Sequence, residues 1–276
     1  MTATATARQS TIGDQLREWR QRRRKSQLDL ALDAQVSTRH LSFVETGRAQ
    51  PSREMVLHLC EQLEVPLRDR NVLLVAAGFA PTFPERALSD PALQVARKAV
   101  ELVLAGHEPH PALALDRHWN LVAHNAAVGP LLAGIDQRLL SPPVNVLRLS
   151  LHPLGLQPRI VNLAEWREHL FARLRKQIEL TADQVLIDLH AELQALPMKP
   201  RPVAPRAAFL DLGGIAVPLR LQSEAGVLSF LSTTTVFGTP VDVTLSELML
   251  ETFFPADDFT ASALRAARTT SAPAGR

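Results

Sequence analysis

The stretch "TRHLS", at positions 38–42, places short polar side chains and one arginine at the start of a short helix. Side chains of this kind hydrogen-bond to base edges in a DNA groove, and a guanidinium group pairs with guanine O6 and N7. Such a combination is typical of a helix that reads the major groove. The predicted base-reading residues are Thr38, Arg39, His40 and Ser42.

A second set of residues around this stretch is suited to phosphate contacts. The formal net charge is only +2, yet six basic residues fall within the nine positions 17–25. Concentrated positive charge favours a polyanion partner, although a solvated helix face has the same composition. The predicted phosphate-binding residues are Arg24, Lys25, Gln27, Ser37, Arg48, Ser52 and Arg53.

Five short helices are predicted to position these side chains. Apolar residues recur at helical spacing over 12–19, and Ser26 and Ser37 are suited to cap the next two helices. A fourth helix follows Ser52, and a fifth ends at Gly78. Five helices within about seventy residues indicate a compact all-α domain.

The second and third helices have the features of a helix-turn-helix. This motif needs a small residue in its first helix, a tight turn, and an apolar residue in its second helix that locks the pair. Ala31, the "AQVS" turn and Leu41 supply them. An ordinary helical hairpin with a polar face is the alternative interpretation.

The segment "SQLDLALDAQVSTRHLSFVETGRAQPS" and the order of the five helices resemble the XRE family, which is Cro-like and phage-repressor-like. The resemblance implies sequence-specific binding to a double-stranded DNA operator. Gln35 departs from the family pattern, which carries glycine in the turn. A non-glycine residue at this expected left-handed position costs about 1 kcal/mol.

The second half of the chain mixes helices with strands. "FAPTFPERALSDP" punctuates the chain, and "ALALD" with "NLVAHN" predicts a strand hairpin. Helical segments follow, including "NVLRLSLHP" and two amphipathic helices within 163–196. Three later segments alternate apolar and polar residues as antiparallel strands do: "GIAVPLRLQS", "GVLSFLSTTTVFG" and "VDVTLSELMLETFFP". The predicted fold class is therefore α+β, with an all-α amino-terminal domain.

The sequence lacks the motifs that are typical of several functional classes. No metal-ligand spacing, nucleophile elbow, P-loop or dinucleotide-binding glycine motif occurs, so we expect neither an enzyme nor a bound cofactor. The single Cys60 excludes a disulfide framework and lies in a helical pattern, where a core residue is favoured over a redox sensor. No segment resembles a signal peptide or a bilayer-spanning helix, so we expect a cytoplasmic protein with no membrane partner.

"LDRHWNLVAHNAA", "NVLRLSLHP", "LLVAAGFAP" and the stretch from "GVLSFLSTTTVFG" to "FFPAD" resemble the MmyB-like ligand-binding domain, a PAS-like fold found behind XRE domains. The resemblance implies a sheet-and-helix pocket for an apolar small molecule, with fatty-acid-like ligands as leading candidates. The predicted organisation is a disordered tail at 1–10, a DNA-binding domain at 11–80, a linker and connecting helix at 81–108, the ligand-binding domain at 109–259 and a second disordered tail at 260–276.

Eight residues are predicted to form this pocket. Arg148 and His152, four apart on one helical face, would converge on a polar head group. Alternatively, Arg148 pairs with an acidic residue and His152 caps its helix before Pro153. The predicted apolar wall, for which simple core residues are the alternative, consists of Trp119, Leu147, Leu151, Phe171, Phe230 and Phe237.

Together these patterns predict a transcriptional regulator that binds its operator as a homodimer and is modulated by an apolar effector. A homodimer is expected because one small domain reads only a few base pairs. The linker and the helix over 93–104 are the expected transmission and dimer surfaces. Two other classes stay open: a DNA-tethered enzyme, and an adaptor whose second domain docks a protein partner.

Overall fold

The structure is a computed structural model that describes residues 10–198 and 217–271. The chain forms two compact units. The first runs to Arg86 and also contains Pro240–Ser246, whereas the second comprises Ala87–Thr239 and the chain from Glu247 onward. In the two stretches that the structure describes, no helix combines the length and the apolar character needed to cross a membrane.

The first unit contains the five predicted helices. Their bounds are α1 Ile12–Arg22, α2 Gln27–Asp33, α3 Thr38–Glu45, α4 Arg53–Gln62 and α5 Leu67–Ala76. Each of the first four is preceded by a hydroxyl residue whose side chain accepts a hydrogen bond from the backbone amide of the third residue of the helix. This bond satisfies a backbone donor that the helix itself leaves unpaired. These N-caps are Thr11, Ser26, Ser37 and Ser52.

The turn between α2 and α3 has the predicted backbone. Gln35 adopts a φ of 52°, the left-handed conformation expected of the residue that replaces glycine there. Ala31 and Leu41 are buried on the two sides of this turn, within a core that all five helices share. Cys60 is fully buried in the same core, and burial raises the pKa of its thiol to about 12. A core role therefore fits Cys60, because a thiol with so high a pKa forms almost no reactive thiolate at neutral pH.

The second unit packs helices against one antiparallel sheet. Helix α6 Gln94–Gly106 leads into the predicted hairpin of β1 Ala112–Leu115 and β2 Leu121–His124. The remaining elements of this unit are α7 Val146–Leu151, α8 Leu163–Thr181, α9 Gln184–Ala195, β3 Leu219–Ser223, β4 Gly226–Val236, β5 Met249–Pro255 and α11 Asp258–Ser271. Between β4 and β5 the chain forms the short α10 Val243–Ser246, which belongs to the first unit. The strand order β2-β1-β5-β4-β3 places β5 in the centre, between the hairpin and β4. The predicted α+β class with an antiparallel sheet is confirmed.

Two sequence predictions in this half were wrong. The segment "VDVTLSELMLETFFP" is not strand throughout, because Asp242 accepts a hydrogen bond from the Thr244 amide and starts the short α10 before β5 begins. The predicted tail from residue 260 is helical as far as Ser271, because the Asp257 carboxylate caps α11 and Leu264 is buried in the core. Nearly all of the tail predicted at 1–10, and the first residues of the predicted strand segment "GIAVPLRLQS", lie outside the described residues.

Candidate nucleic-acid interface and apolar cavity

Helix α3 presents the predicted base-reading residues on one side of the first unit. Thr38 and Arg39 are exposed, and His40 and Ser42 are half-buried. Leu41, Val44 and Glu45 on the opposite face are buried. The structure thus brings the four predicted residues together on the outward surface of one helix, where they can reach an external partner.

An aromatic side chain that the sequence analysis overlooked supports two cations on this surface. The Arg39 guanidinium carbon lies 5.3 Å from the centre of the Phe43 ring, and that of Arg48 lies 6.0 Å from it. Cation–π contacts at exposed sites contribute about 0.5–1 kcal/mol each. They restrain the two arginines at the outer edge of α3. An aromatic residue four positions after one arginine and five before another was the available signal.

A buried ionic network holds α3 against α1. Glu45 accepts hydrogen bonds from Arg20 Nε at 2.6 Å and from Arg20 Nη2 at 2.8 Å. Gln27 Nε2 donates to Glu45 Oε2 at 2.8 Å, so the side chain predicted to bind phosphate contacts this carboxylate instead in the structure. Burial by itself raises the pKa of Glu45, but these hydrogen bonds and the charges of Arg20 and Arg17 outweigh it and leave the pKa below its usual range.

The other predicted phosphate contacts fall into two groups. Ser37 and Ser52 use their hydroxyls as N-caps, and Lys25 Nζ binds Asp33 Oδ2 at 2.7 Å and the Gln62 carbonyl at 3.0 Å. Arg53 donates to the Thr82 hydroxyl. In contrast, two predicted cations are exposed, namely Arg24 in the turn between α1 and α2 and Arg48 in the loop after α3.

An apolar cavity of about 100 Å³ lies inside the second unit. Its wall is formed by side chains from the β1–β2 hairpin, α7, α8, β3, β4 and β5. A single water needs about 10–15 Å³ of such space, so the cavity is large enough for part of a small molecule. Trp119, Leu147 and Phe230 line it as predicted.

Three other residues predicted for the apolar wall lie elsewhere. Leu151 and Phe171 are buried in the surrounding core without lining the cavity. Phe237 packs against a separate cluster around Val100 and Leu250. These side chains have the predicted hydrophobicity, but all three pack in hydrophobic clusters and none lines the cavity, so the alternative of simple core packing describes them.

The prediction that Arg148 and His152 converge on a ligand head group was wrong. Arg148 forms a bidentate ion pair with Glu192 at 2.7 Å for each bond, with both side chains more than two-fifths exposed. Hydrogen bonding to Glu192 raises the pKa of Arg148. His152 ends α7, and its Nδ1 accepts a hydrogen bond from the Leu154 amide at 3.0 Å. Neither Arg148 nor His152 is part of the cavity wall.

The polar groups that do reach the cavity wall are Ser150, Arg173 and Glu251. Ser150 Oγ accepts a hydrogen bond from Trp166 Nε1 at 2.9 Å. Arg173 Nη1 and Nη2 donate to the two carboxylate oxygens of Glu251, both at 2.8 Å. Sequence reasoning missed this pair because its members are 78 positions apart. The one available signal was a charged glutamate within the largely apolar strand "MLETFF".

Comparisons with known proteins agree with both halves of the chain. Residues 96–267 match the family described as "MmyB-like transcription regulator ligand binding domain", and residues 11–73 match "Helix-turn-helix domain". The transcriptional regulator ClgR of Mycobacterium tuberculosis, in its CDC 1551 and H37Rv strains, is 35% identical over 75 residues. That similarity covers 27% of this chain and 64% of ClgR, so the chain spans less than two thirds of the relative's length.

Proposed function

This chain belongs to the family of the MmyB-like transcription regulator ligand binding domain, and from that premise we propose that it binds operator DNA through α3. We also propose that an apolar small molecule modulates this binding. The observation that carries the proposal is the exposed polar surface of α3, which bears Thr38, Arg39, His40 and Ser42 within a helix-turn-helix unit. Fatty-acid-like molecules are the leading effector candidates, and the active species is a homodimer in the cytoplasm.

The geometry of the first unit supports DNA reading by α3. In a helix-turn-helix, the amino-terminal residues of the second helix contact base edges while flanking cations hold the phosphates. Arg39 occupies such an amino-terminal position, and exposed Arg24 and Arg48 supply flanking positive charge. Arg39 would therefore specify sequence, whereas Arg24 and Arg48 would contribute affinity at any sequence.

Helix α6 supports a dimer. It exposes Val95 at 81% and Leu102 at 73% of their full accessible surface, and Val103 at 45%. Large apolar side chains grouped on one helix favour burial against a partner. A symmetric dimer would present two copies of α3 to operator half-sites about one helical turn apart.

The path of the chain between β4 and β5 supports modulation of DNA binding by a ligand. The chain leaves the second unit after Thr239, contributes Pro240–Ser246 to the first, and re-enters the second at Glu247. Both flanking strands contribute to the cavity wall, with Phe230 on β4 and Glu251 on β5. A ligand that shifts these strands would therefore displace Pro240–Ser246, which belong to the first unit.

The inserted segment is held firmly within the first unit. The Val243 amide donates to the Pro84 carbonyl at 2.9 Å, and Thr244 Oγ1 donates to the Arg86 carbonyl at 2.6 Å. Arg86 Nη1 also donates to Asp242 Oδ2 at 3.1 Å. Coupling of about 1–3 kcal/mol between two sites changes affinity by about 5-fold to 150-fold, so a modest strain in this segment is enough to switch operator occupancy.

Operator selection followed by ligand titration tests the proposed function. Random duplexes enriched on the full chain define the operator, and fluorescence anisotropy then measures its affinity with and without straight-chain alcohols, esters and acids. We expect a defined operator and an altered affinity with at least one of these compounds. Failure to enrich any sequence would refute DNA reading, and unchanged affinity with every compound would refute modulation by such a ligand.

A cavity-filling variant assigns the ligand effect to the cavity. Leu121→Trp enlarges a side chain at the cavity wall, whereas Leu180→Trp makes the same change at a position on α8 that is 43% exposed and outside the wall. We expect Leu121→Trp to abolish the ligand effect without loss of operator binding. Leu180→Trp should behave like the unmodified chain, and equal loss in both variants would place the ligand elsewhere.

A further inference from the structure

We propose that the Arg173–Glu251 ion pair makes the cavity selective for apolar molecules with an uncharged head group and excludes ionised carboxylates. This inference rests on the proposed ligand-sensing function and narrows it. An alcohol, a ketone or an ester would be accepted, whereas a fatty acid would enter in its protonated form. Arg173 and Glu251 are the specificity-determining residues.

The pair is fixed by three elements of the second unit. Arg173 on α8 donates two hydrogen bonds to Glu251 on β5, and Thr234 on β4 lies between them. Thr234 Oγ1 accepts from Arg173 Nη2 and donates to Glu251 Oε2, each at 2.8 Å. The Arg173 guanidinium carbon also lies 4.8 Å from the centre of the Trp119 ring at the cavity wall. The direct hydrogen bonds between Arg173 and Glu251, together with contacts from Thr234 and Trp119, therefore hold the pair in one geometry.

Because the pair is buried, its net charge determines whether a charged ligand can bind beside it. The Glu251 side chain is only 5% exposed and that of Arg173 is 23% exposed. Among the cavity-wall residues in the described part of the chain, only these two belong to charged types. Their charges cancel, so the wall offers no net positive charge to an incoming anion. In a poorly solvated site, a second carboxylate beside Glu251 would meet like-charge repulsion and lose its own hydration.

His169, which interacts with both charges of the pair, does not add a positive charge to the site. Burial and then the charge of Arg173 lower the pKa of His169, although Glu251 opposes the shift. His169 is therefore neutral at neutral pH and stacks on Trp166 with 5.3 Å between the ring centres. An anionic head group would receive no positive charge from it.

An uncharged head group avoids this conflict. Glu251 and Thr234 accept three of the hydrogen bonds that the Arg173 guanidinium can donate. A guanidinium carries five N–H groups, so these three hydrogen bonds use only part of its donor capacity. A hydroxyl or carbonyl oxygen can accept from such a donor without adding charge to the site. The apolar side chains of the cavity wall would contact the hydrocarbon part of the ligand.

Ligands that differ only in head group test the inference. The dissociation constants of 1-decanol, methyl decanoate and decanoate are measured by isothermal titration calorimetry at about pH 8, where the acid is fully ionised. We expect the full chain to bind the alcohol and the ester at least about tenfold more tightly than the carboxylate, a difference of about 1.4 kcal/mol.

A matched pair of variants assigns the selectivity to Glu251. Glu251→Gln removes the buried negative charge and leaves Arg173 uncompensated, so decanoate should bind as tightly as 1-decanol or more tightly. Glu192→Gln removes a glutamate from the exposed bidentate pair with Arg148 and should leave the preference unchanged. Circular dichroism confirms that each variant is folded. If Glu251→Gln does not fold, the comparison of ligands on the unmodified chain decides by itself.

The outcomes separate this inference from the proposed function. If the unmodified chain binds decanoate as tightly as 1-decanol, the selectivity is refuted and ligand sensing stands. Equal preferences in the chain and in folded Glu251→Gln would remove Glu251 as the determinant and also refute the inference. If none of the three compounds binds, the proposed apolar ligand fails, and the selectivity inference fails with it.

Discussion

Glu45, the last residue of α3, accepts both hydrogen bonds of a bidentate ion pair from Arg20 on α1, at 2.6 Å and 2.8 Å. The Glu45 side chain has no exposed surface, and that of Arg20 is 10% exposed. Removing one partner of a buried pair leaves the other charged and unsolvated. The orientation of α3, and with it the position of Arg39, therefore depends on this contact.

We expect Glu45→Gln to destabilise the first unit severely. Breaking a buried pair in this way costs about 3–5 kcal/mol, a large fraction of a domain's stability. Urea unfolding followed by tryptophan fluorescence measures the loss. Glu18→Gln, which removes the exposed partner of Arg22, is the control and should change stability by less than about 1 kcal/mol. A similar small effect in both variants would contradict the structural role of Glu45.

The same pair predicts a dependence of stability on pH. The folded-state pKa of Glu45 is lowered, so its contribution is present above the unfolded pKa of about 4.3 and is lost as pH falls through the folded value. Acidification below about pH 4.3 should therefore reduce the free energy of unfolding more in the unmodified chain than in Glu45→Gln. Parallel pH profiles for the two proteins would show that Glu45 does not contribute.

Gly13 provides a second point of contact between α1 and α3. A Cβ atom at this position would lie 2.6 Å from the carbonyl oxygens of Val44 and Glu45. Backbone atoms move less readily than side chains, so Gly13→Ala should push α3 away from α1 and cost about 1–3 kcal/mol. Thermal unfolding checks the loss, with Gly106→Ala, where a Cβ meets no atom within 4 Å, as the control. Equal melting temperatures for the two variants would contradict the close approach.

Arg39 and Arg24 should affect different properties of DNA binding, namely sequence discrimination and overall affinity. Arg39→Ala should reduce discrimination at one base position by about 1–3 kcal/mol, because a specific base contact is lost. Arg24→Gln should weaken binding to all sequences alike and reduce the slope of log K against log salt by about one, as loss of one phosphate contact does. Binding isotherms on matched and mismatched operators at several salt concentrations measure both. Unchanged selectivity in Arg39→Ala would remove it from the reading residues.

The hydrogen bond between Arg86 and Asp242 predicts a variant that uncouples ligand from operator. Arg86→Ala should loosen Pro240–Ser246, because Asp242 is buried and loses a charged partner. The Val243 amide should exchange its hydrogen faster, and the ligand should alter operator affinity less while binding the cavity as before. Arg138→Ala, which removes an exposed ion pair with Asp136, is the control. Full retention of the ligand effect would exclude this segment as the route of coupling.

The sequence alone determined the features that depend on neighbouring residues. Helix N-caps at Ser26 and Ser37, the left-handed Gln35 and the outward face of α3 follow from spacings of one to four positions. The β1–β2 hairpin was predictable for the same reason. The helix after Asp257 was missed although its cap and its apolar spacing were present in the sequence, so that error was one of interpretation.

Only the tertiary structure decided which residues form the cavity and its charge pair. Arg148 and Arg173 are both arginines on predicted helices, but the packing of α7 and α8 turned the first to solvent and the second to Glu251. Likewise, no local pattern places Asp242 beside Arg86 across 156 positions. Such contacts depend on how distant elements pack and on strand register, which the spacing of residues along the chain does not measure.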